Sequence, residues 1–195
     1  RIKIRRYEIG LHYRDRDFVG LLAEGVHWFI DPLDKIRVDV VSQREPWLVR
    51  ADLDVIVRSG ALTDRAVVID PGCDDRAHLE RVLEVAGGAV ERIVCTHSHP
   101  DHSPGAAWLG ERTGAPVCGL PAPDDGYQDP SYAPDAGIAE GECIAAGDSL
   151  LRAIHTPGHA SNHVCLMLEE SGLLFTGDHL MSGSTVIIIP PDGSM

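Results

Sequence analysis

No two cysteines stand as a C-x-x-C pair, no lysine follows position 35, and aromatic residues make up only 5% of this 195-residue chain. Each scarcity closes a class of function. Cys73, Cys95, Cys118, Cys143 and Cys165 are odd in number and dispersed. They read as reduced, mostly buried thiols of a cytoplasmic protein, not as a disulfide framework or a cysteine zinc cluster. So few aromatics build no stacking platform for single strands, and Trp28, Trp47 and Trp108 read as core or half-buried side chains. No run approaches the roughly 18 apolar residues of a membrane-spanning helix; the longest apolar-leaning stretch, residues 18–30, is broken by Glu24, Gly25 and His27. No serine lies in a G-x-S-x-G setting with a paired base, and Gly87-Gly88 read as a helix stop, not a phosphate loop. The chain opens on Arg1 with no signal peptide and is expected to be a processed or truncated piece.

What remains is 44% hydrophobic and 24% charged, enough for one ordinary domain plus a small appendage and too apolar for disorder. The charge is uneven: residues 1–62 carry net +1, whereas residues 63–195, with six arginines and 20 acidic residues, carry −14. Prolines shift from two to 11 across the same point. The break predicts two modules, 1–62 and 63–195. The acidity of the second argues against a nucleic-acid patch, although bound cations change a local field enough to leave an RNA substrate open.

Residues 1–62 read as short antiparallel strands. Alternation of Ile2 and Ile4 with Lys3 and Arg5, and of Ile36, Val38 and Val40 with polar neighbours, predicts strands over 1–7 and 35–41. Further strands are expected over 8–13 and 26–30, with Gly10, Gly20 and Gly25 as turns. The segments Tyr7-Glu8-Ile9-Gly10-Leu11, Phe18-Val19-Gly20-Leu21-Leu22 and Asp52-Leu53-Asp54-Val55-Ile56-Val57-Arg58-Ser59-Gly60 resemble the N-terminal SPFH region of bacterial slipin (stomatin-like) proteins. That resemblance implies a scaffold piece without chemistry.

Residues 63–195 alternate strands and helices. A buried strand over 65–70 leads to a helix capped by Asp74 or Asp75 and stopped at Gly87-Gly88. A second buried strand over 91–96 runs into His97, and Ser103-Pro104 opens a helix that Gly114 ends. Residues 121–134 read as a surface loop or lid. Strands are expected over 149–155, 163–168, 173–176 and 185–189.

His97-Ser98-His99-Pro100-Asp101-His102 concentrates four potential metal ligands directly after a strand. Residues i and i+2 of an extended segment share a face, so His97 and His99 can meet at one ion. Asp101 and His102 fall where the chain turns into a helix and can face a second. Thr156-Pro157-Gly158-His159 adds an imidazole at a tight turn, and in Phe175-Thr176-Gly177-Asp178-His179 the glycine lets Asp178 turn inward. Three imidazoles with an open position form the ligand set of a hydrolytic zinc ion, and a carboxylate can bridge two cations.

These motifs, with residues 66–72 and Ser103-Pro104-Gly105, resemble the metallo-β-lactamase superfamily, whose H-x-H-x-D-H motif is matched by residues 97–102. The resemblance implies an α/β (α+β) fold, a four-layer αβ/βα sandwich, here incomplete. It implies that His97, His99 and His159 hold a first zinc, that Asp101 and His102 hold a second, and that Asp178 bridges them. The family continues past Asp178 to a further histidine, so the second site is expected to be weak. His163 reads as a pocket or strand histidine, and His179 as a substitute ligand or a supporting residue. The expected function is a hydrolase in which zinc-activated hydroxide attacks an ester, amide, thioester or phosphodiester, with Asp101 orienting the water. The substrate class, small molecule or RNA, and the oligomeric state are left open. The alternative is a catalytically impaired scaffold or binding fragment of chimeric or truncated origin.

Overall fold

The computed structural model describes residues 1–6, 8–31, 33, 35–42, 66–147 and 149–194. Its contacts divide the chain into two units, Arg1–Asp64 and Arg65–Met195.

In the first unit, β1 (Ile2–Ile4) pairs antiparallel with β4 (Gly25–His27). β2 (Glu8–Arg14) lies antiparallel between β3 (Asp17–Leu22) and β5 (Ile36–Ser42). Leu11 and Tyr13, two residues apart on one face of β2, are buried and pack against Phe18 and Leu21. Gly10 and Gly20 lie inside strands, not at turns. Glycine at position 10 answers a packing need, because a Cβ there would stand 2.9 Å from Ile4 Cδ1. β4 stops at His27, short of the expected residue 30, and Trp28 is 73% exposed, so it is no core residue. Trp47 and the segment 52–60 lie outside the described residues.

The second unit is built on a parallel sheet of β6 (Ala66–Ile69), β7 (Val90–Val94) and β8 (Val117–Cys118), in that order. Two helices make the crossovers, α1 (Arg76–Val85) and α2 (Gly105–Thr113). Asp75 caps α1 by accepting from the N–H groups of Ala77 and His78. Gly114 ends α2 in the left-handed region at φ +72°. Leu79 and Leu109 press one face of the sheet against Ile93, Cys95 and Val117. Val94 and Cys118 point the other way, onto Ile144, Leu151, Val164 and Leu166 of a second sheet. That sheet is antiparallel, with order β12 (Leu173–Phe175), β11 (Val164–Leu168), β10 (Ser149–His155), β9 (Cys143–Ala146).

Helices, parallel sheet and antiparallel sheet thus stack as three layers of a mixed α/β fold. Among the described residues no helix covers the outer face of the antiparallel sheet, where Leu150 and Leu174 stay 43% and 40% exposed. No helix among the described residues is long and apolar enough to cross a membrane.

The structure corrects several expectations. Strands β3, β8 and β9 had no clear periodic signal; β8 is only two residues long. β6 is half-buried, because it lies at the edge of its sheet. Residues 185–189 form no strand despite their β-branched run. The loop over 121–134 is more than surface: Asp129 and Tyr132 are buried, and Asp129 accepts from Ser103 Oγ at 2.8 Å. The thiols are mostly buried, as expected: Cys95, Cys118 and Cys165 are buried, while Cys73 and Cys143 are exposed.

Candidate metal centre

The C-terminal ends of β6, β7, β10 and β12 deliver Asp70, His97, His159 and Asp178 to one edge of the two sheets. β7 carries the chain through buried Cys95 and Thr96, so His97 arrives 1% exposed. Its ring centroid lies 4.6 Å from that of His99, 4.1 Å from His102 and 5.1 Å from His159. Donor atoms of His97, His99 and His159 all fall within 4.8 Å of one another, and so do those of His97, His102 and Asp178.

Hydrogen bonds set which ring nitrogens are free. The Asp70 carboxylate accepts from Thr96 N–H and from Thr96 Oγ1–H, both at 2.7 Å. With its one proton given to Asp70, Thr96 Oγ1 can only accept from His97 Nδ1, 3.0 Å away. The proton of His97 therefore sits on Nδ1, and Nε2, buried and without a partner among the described residues, carries a lone pair into the cluster. Asp70 Oδ2 also accepts from His102 Nδ1 at 3.0 Å, which leaves His102 Nε2 facing Asp178 Oδ1 at 3.4 Å. His159 Nδ1 donates to the Ile187 carbonyl at 2.6 Å. Its Nε2 then faces His99 Nδ1 at 2.9 Å and Asp178 Oδ2 at 3.6 Å. An orphaned lone pair beside convergent imidazoles and a carboxylate spanning two of them fits a divalent cation, since buried polar atoms otherwise find partners.

The electrostatics favour the neutral form of His97, His99 and His163 and the charged form of His102. Burial, followed by like-charge pressure from His102, His99 and other histidines, holds His97 far below its ordinary pKa. Burial and then His159 lower His99. For His102 burial also opposes the charged form, but the Asp70 hydrogen bond and the carboxylates of Asp70, Asp101 and Asp178 outweigh it and raise the pKa. His163 is pushed down to about 4, by burial first and His179 second.

Five of the six sequence-predicted ligands, His97, His99, His102, His159 and Asp178, meet here. Asp101 sits at the rim, its side chain 76% exposed and 3.7 Å from His102 Nε2, and belongs to neither close donor group. His179 also belongs to neither; its ring lies 5.9 Å from that of His163. His163 is fully buried and accepts from Asp178 N–H through Nε2 at 3.1 Å. Sequence reading missed Asp70, which takes the strained φ of +46° for a non-glycine residue. A lone carboxylate at a strand end was its only signal. It also missed the Ile187 carbonyl, for which side-chain identity holds no signal at all.

A cavity of about 360 Å³ opens over His99, Asp101, His159 and Asp178. Its far wall comes from the segment after Val186, which Ser161 N–H ties down through Asp192 at 3.0 Å and Ser194 N–H through the Gly158 carbonyl at 2.9 Å.

Residues 55–195 match the family model described as Metallo-beta-lactamase superfamily, a span that begins eight residues before the boundary expected at 62/63. The chain is 32% identical over 151 residues to a hydroxyacylglutathione hydrolase of Cereibacter sphaeroides, covering 77% of this chain and 53% of that one. It is 37% identical over 101 residues to the thioesterase pkgB of Emericella nidulans, covering 52% of this chain and 27% of that one. The chain thus spans about half or less of the length of these curated relatives. Among solved structures, TTHA1623 in a di-iron-bound form aligns with TM-score 0.52 and 29% identity, over 64% of this chain and 67% of that one.

Proposed function

The chain belongs to the metallo-β-lactamase superfamily, and from that premise we propose that it is a metal-dependent hydrolase of acyl thioesters or esters. The observation that carries the reading is the unpartnered, buried His97 Nε2 at the meeting point of both donor groups. His97, His99 and His159 would hold one zinc ion; His102 and Asp178, with Asp101 at the rim, would hold a second and weaker one. A bound cation supplies Lewis acidity, polarising the acyl carbonyl and bringing the pKa of a coordinated water down to about 7. The chain's own part is positioning. Asp70 fixes the His97 tautomer through Thr96 and the His102 tautomer directly. Asp178 is held by His163, and Asp101, on the cavity rim, orients the attacking water and accepts its proton. Water adds to the acyl carbon, the C–S or C–O bond breaks, and the thiol or alcohol leaves with a proton. Support for thioesters over the other acyl classes comes from the names of the relatives, a hydroxyacylglutathione hydrolase and a thioesterase.

The test is reconstitution. Metal-stripped protein, titrated with zinc or iron, should gain thioester hydrolysis in proportion to the first equivalent bound, and His97→Ala should lose both. Metal binding without turnover of any ester or thioester would overturn the hydrolase reading and favour a scaffold.

The same proposal treats residues 1–62 as a slipin-like module without chemistry and residues 63–195 as the enzyme, in the cytoplasm, where free thiols persist. The division of contacts at Asp64–Arg65 supports it. Calorimetry should resolve two unfolding transitions, only the second raised by metal.

A further inference from the structure

The cavity over the metal centre carries carboxylates that the donor groups do not use. Asp125 and Asp192 are half-buried in its wall, apart from the convergent ligands, and among the described lining residues there is no lysine or arginine. Among the described residues neither carboxylate is neutralised by an ion pair. Asp125 accepts from Tyr127 N–H and Gln128 Nε2, and Asp192 accepts from Ser161 N–H. Beside them Tyr127, Ile187 and Ile189 present apolar surface at 65%, 63% and 62% exposure.

We propose that this cavity is a charge-selective substrate subsite, in which Asp125 and Asp192 disfavour anionic leaving groups and Tyr127, Ile187 and Ile189 receive an apolar body. The preferred substrates are acyl thioesters or esters whose arm is neutral or cationic. The inference rests on the hydrolase reading for turnover, but the binding preference follows from the cavity alone. Carboxylates with only neutral hydrogen-bond partners keep their field, and a concave wall focuses it. Reversing a full charge beside two of them is worth about tenfold or more.

Three butyryl thioesters differing only in the arm make the experiment: butyrylthiocholine (cation), S-butyryl-2-methoxyethanethiol (neutral) and S-butyryl-3-mercaptopropionate (anion). Metal-loaded full chain should show kcat/KM falling in that order, by about tenfold or more between the ends. Asp125→Asn with Asp192→Asn should compress the ratio toward one, and so should high salt on the unaltered protein. The corresponding inert thioethers, with binding measured by calorimetry, should follow the same order of affinity. An anion bound or turned over as well as the cation overturns the proposal, as does an order that survives both the double substitution and salt. If none of the thioesters turns over, the hydrolase reading fails, and the thioether affinities still decide the charge preference. Absence of binding by all three thioethers counts against the subsite.

Discussion

The backbone N–H of Asp178 donates to Nε2 of buried His163 at 3.1 Å. One imidazole therefore sets the position of the carboxylate that lies between His102 and His159. His163 Nδ1 is held in turn by Thr156 Oγ1 at 2.9 Å, so the ring cannot turn away. His163→Gln should keep the fold but lower zinc affinity by roughly 10–100-fold, the usual cost of losing such support. Competition against a chromophoric chelator reads this directly; unchanged affinity would show that Asp178 needs no such anchor.

Gly177 supplies the bend that makes this anchor possible. At φ +47°, a Cβ would stand 2.6 Å from His163 Nε2 and 2.7 Å from Thr96 Oγ1. Gly177→Ala should therefore cost about 1–3 kcal/mol of stability from backbone strain, together with a loss of metal affinity. Chemical denaturation and metal titration measure the two effects on one sample.

Asp70→Asn is expected to act on two imidazoles at once. An amide has one acceptor oxygen, so it cannot serve Thr96 N–H, Thr96 Oγ1 and His102 Nδ1 together. Freed of its fixed tautomer, His97 no longer keeps its Nε2 lone pair for the metal. The first equivalent of zinc should bind about tenfold or more weakly, with near-native far-ultraviolet circular dichroism.

Metal should enter in order. His97, His99 and His159 form a group of three imidazoles, whereas the second group shares His97 and adds only His102 and Asp178. Isothermal titration should show one tight and one weak equivalent. His159→Ala should abolish the tight one, and His102→Ala should remove chiefly the weak one. Two equal, tight equivalents in the unaltered protein would contradict this ordering.

Acid should destabilise the metal-free protein through its buried imidazoles. His163 titrates near 4 when folded, against about 6.5 when unfolded, and His97 and His99 are shifted the same way. As pH falls below 6.5 the unfolded chain takes up protons that the folded chain refuses. Stability is thus full above 6.5 and lost between there and about 4, by about 3 kcal/mol at most for His163. His102, shifted upward, acts with opposite sign and loses its contribution as pH rises above 6.5. The melting temperature should fall between pH 7 and pH 5, and His163→Gln should flatten that fall.

Much of this protein is legible along the chain. Asp75 and Gly114 bound helices by local capping and turn chemistry, which depend on a few adjacent residues. Residues 97–102 point to a candidate metal site because four potential ligands are packed into six positions after a buried strand. Other features needed the packed sheets. Asp70 reaches His102 across 32 residues, and the Ile187 carbonyl reaches His159 across 28. No local pattern encodes such a meeting, which depends on sheet order and on which strand ends share an edge. Residues 185–189 show the converse. Their β-branched run favours a strand, but β-propensity needs a partner ladder, and the Ile187 carbonyl is taken by an imidazole. The sequence by itself determined which donors exist and which helices and turns present them. Only the tertiary structure decided which ring nitrogens stay free, because a proton's place on imidazole is set by the acceptor that packing brings to the other nitrogen.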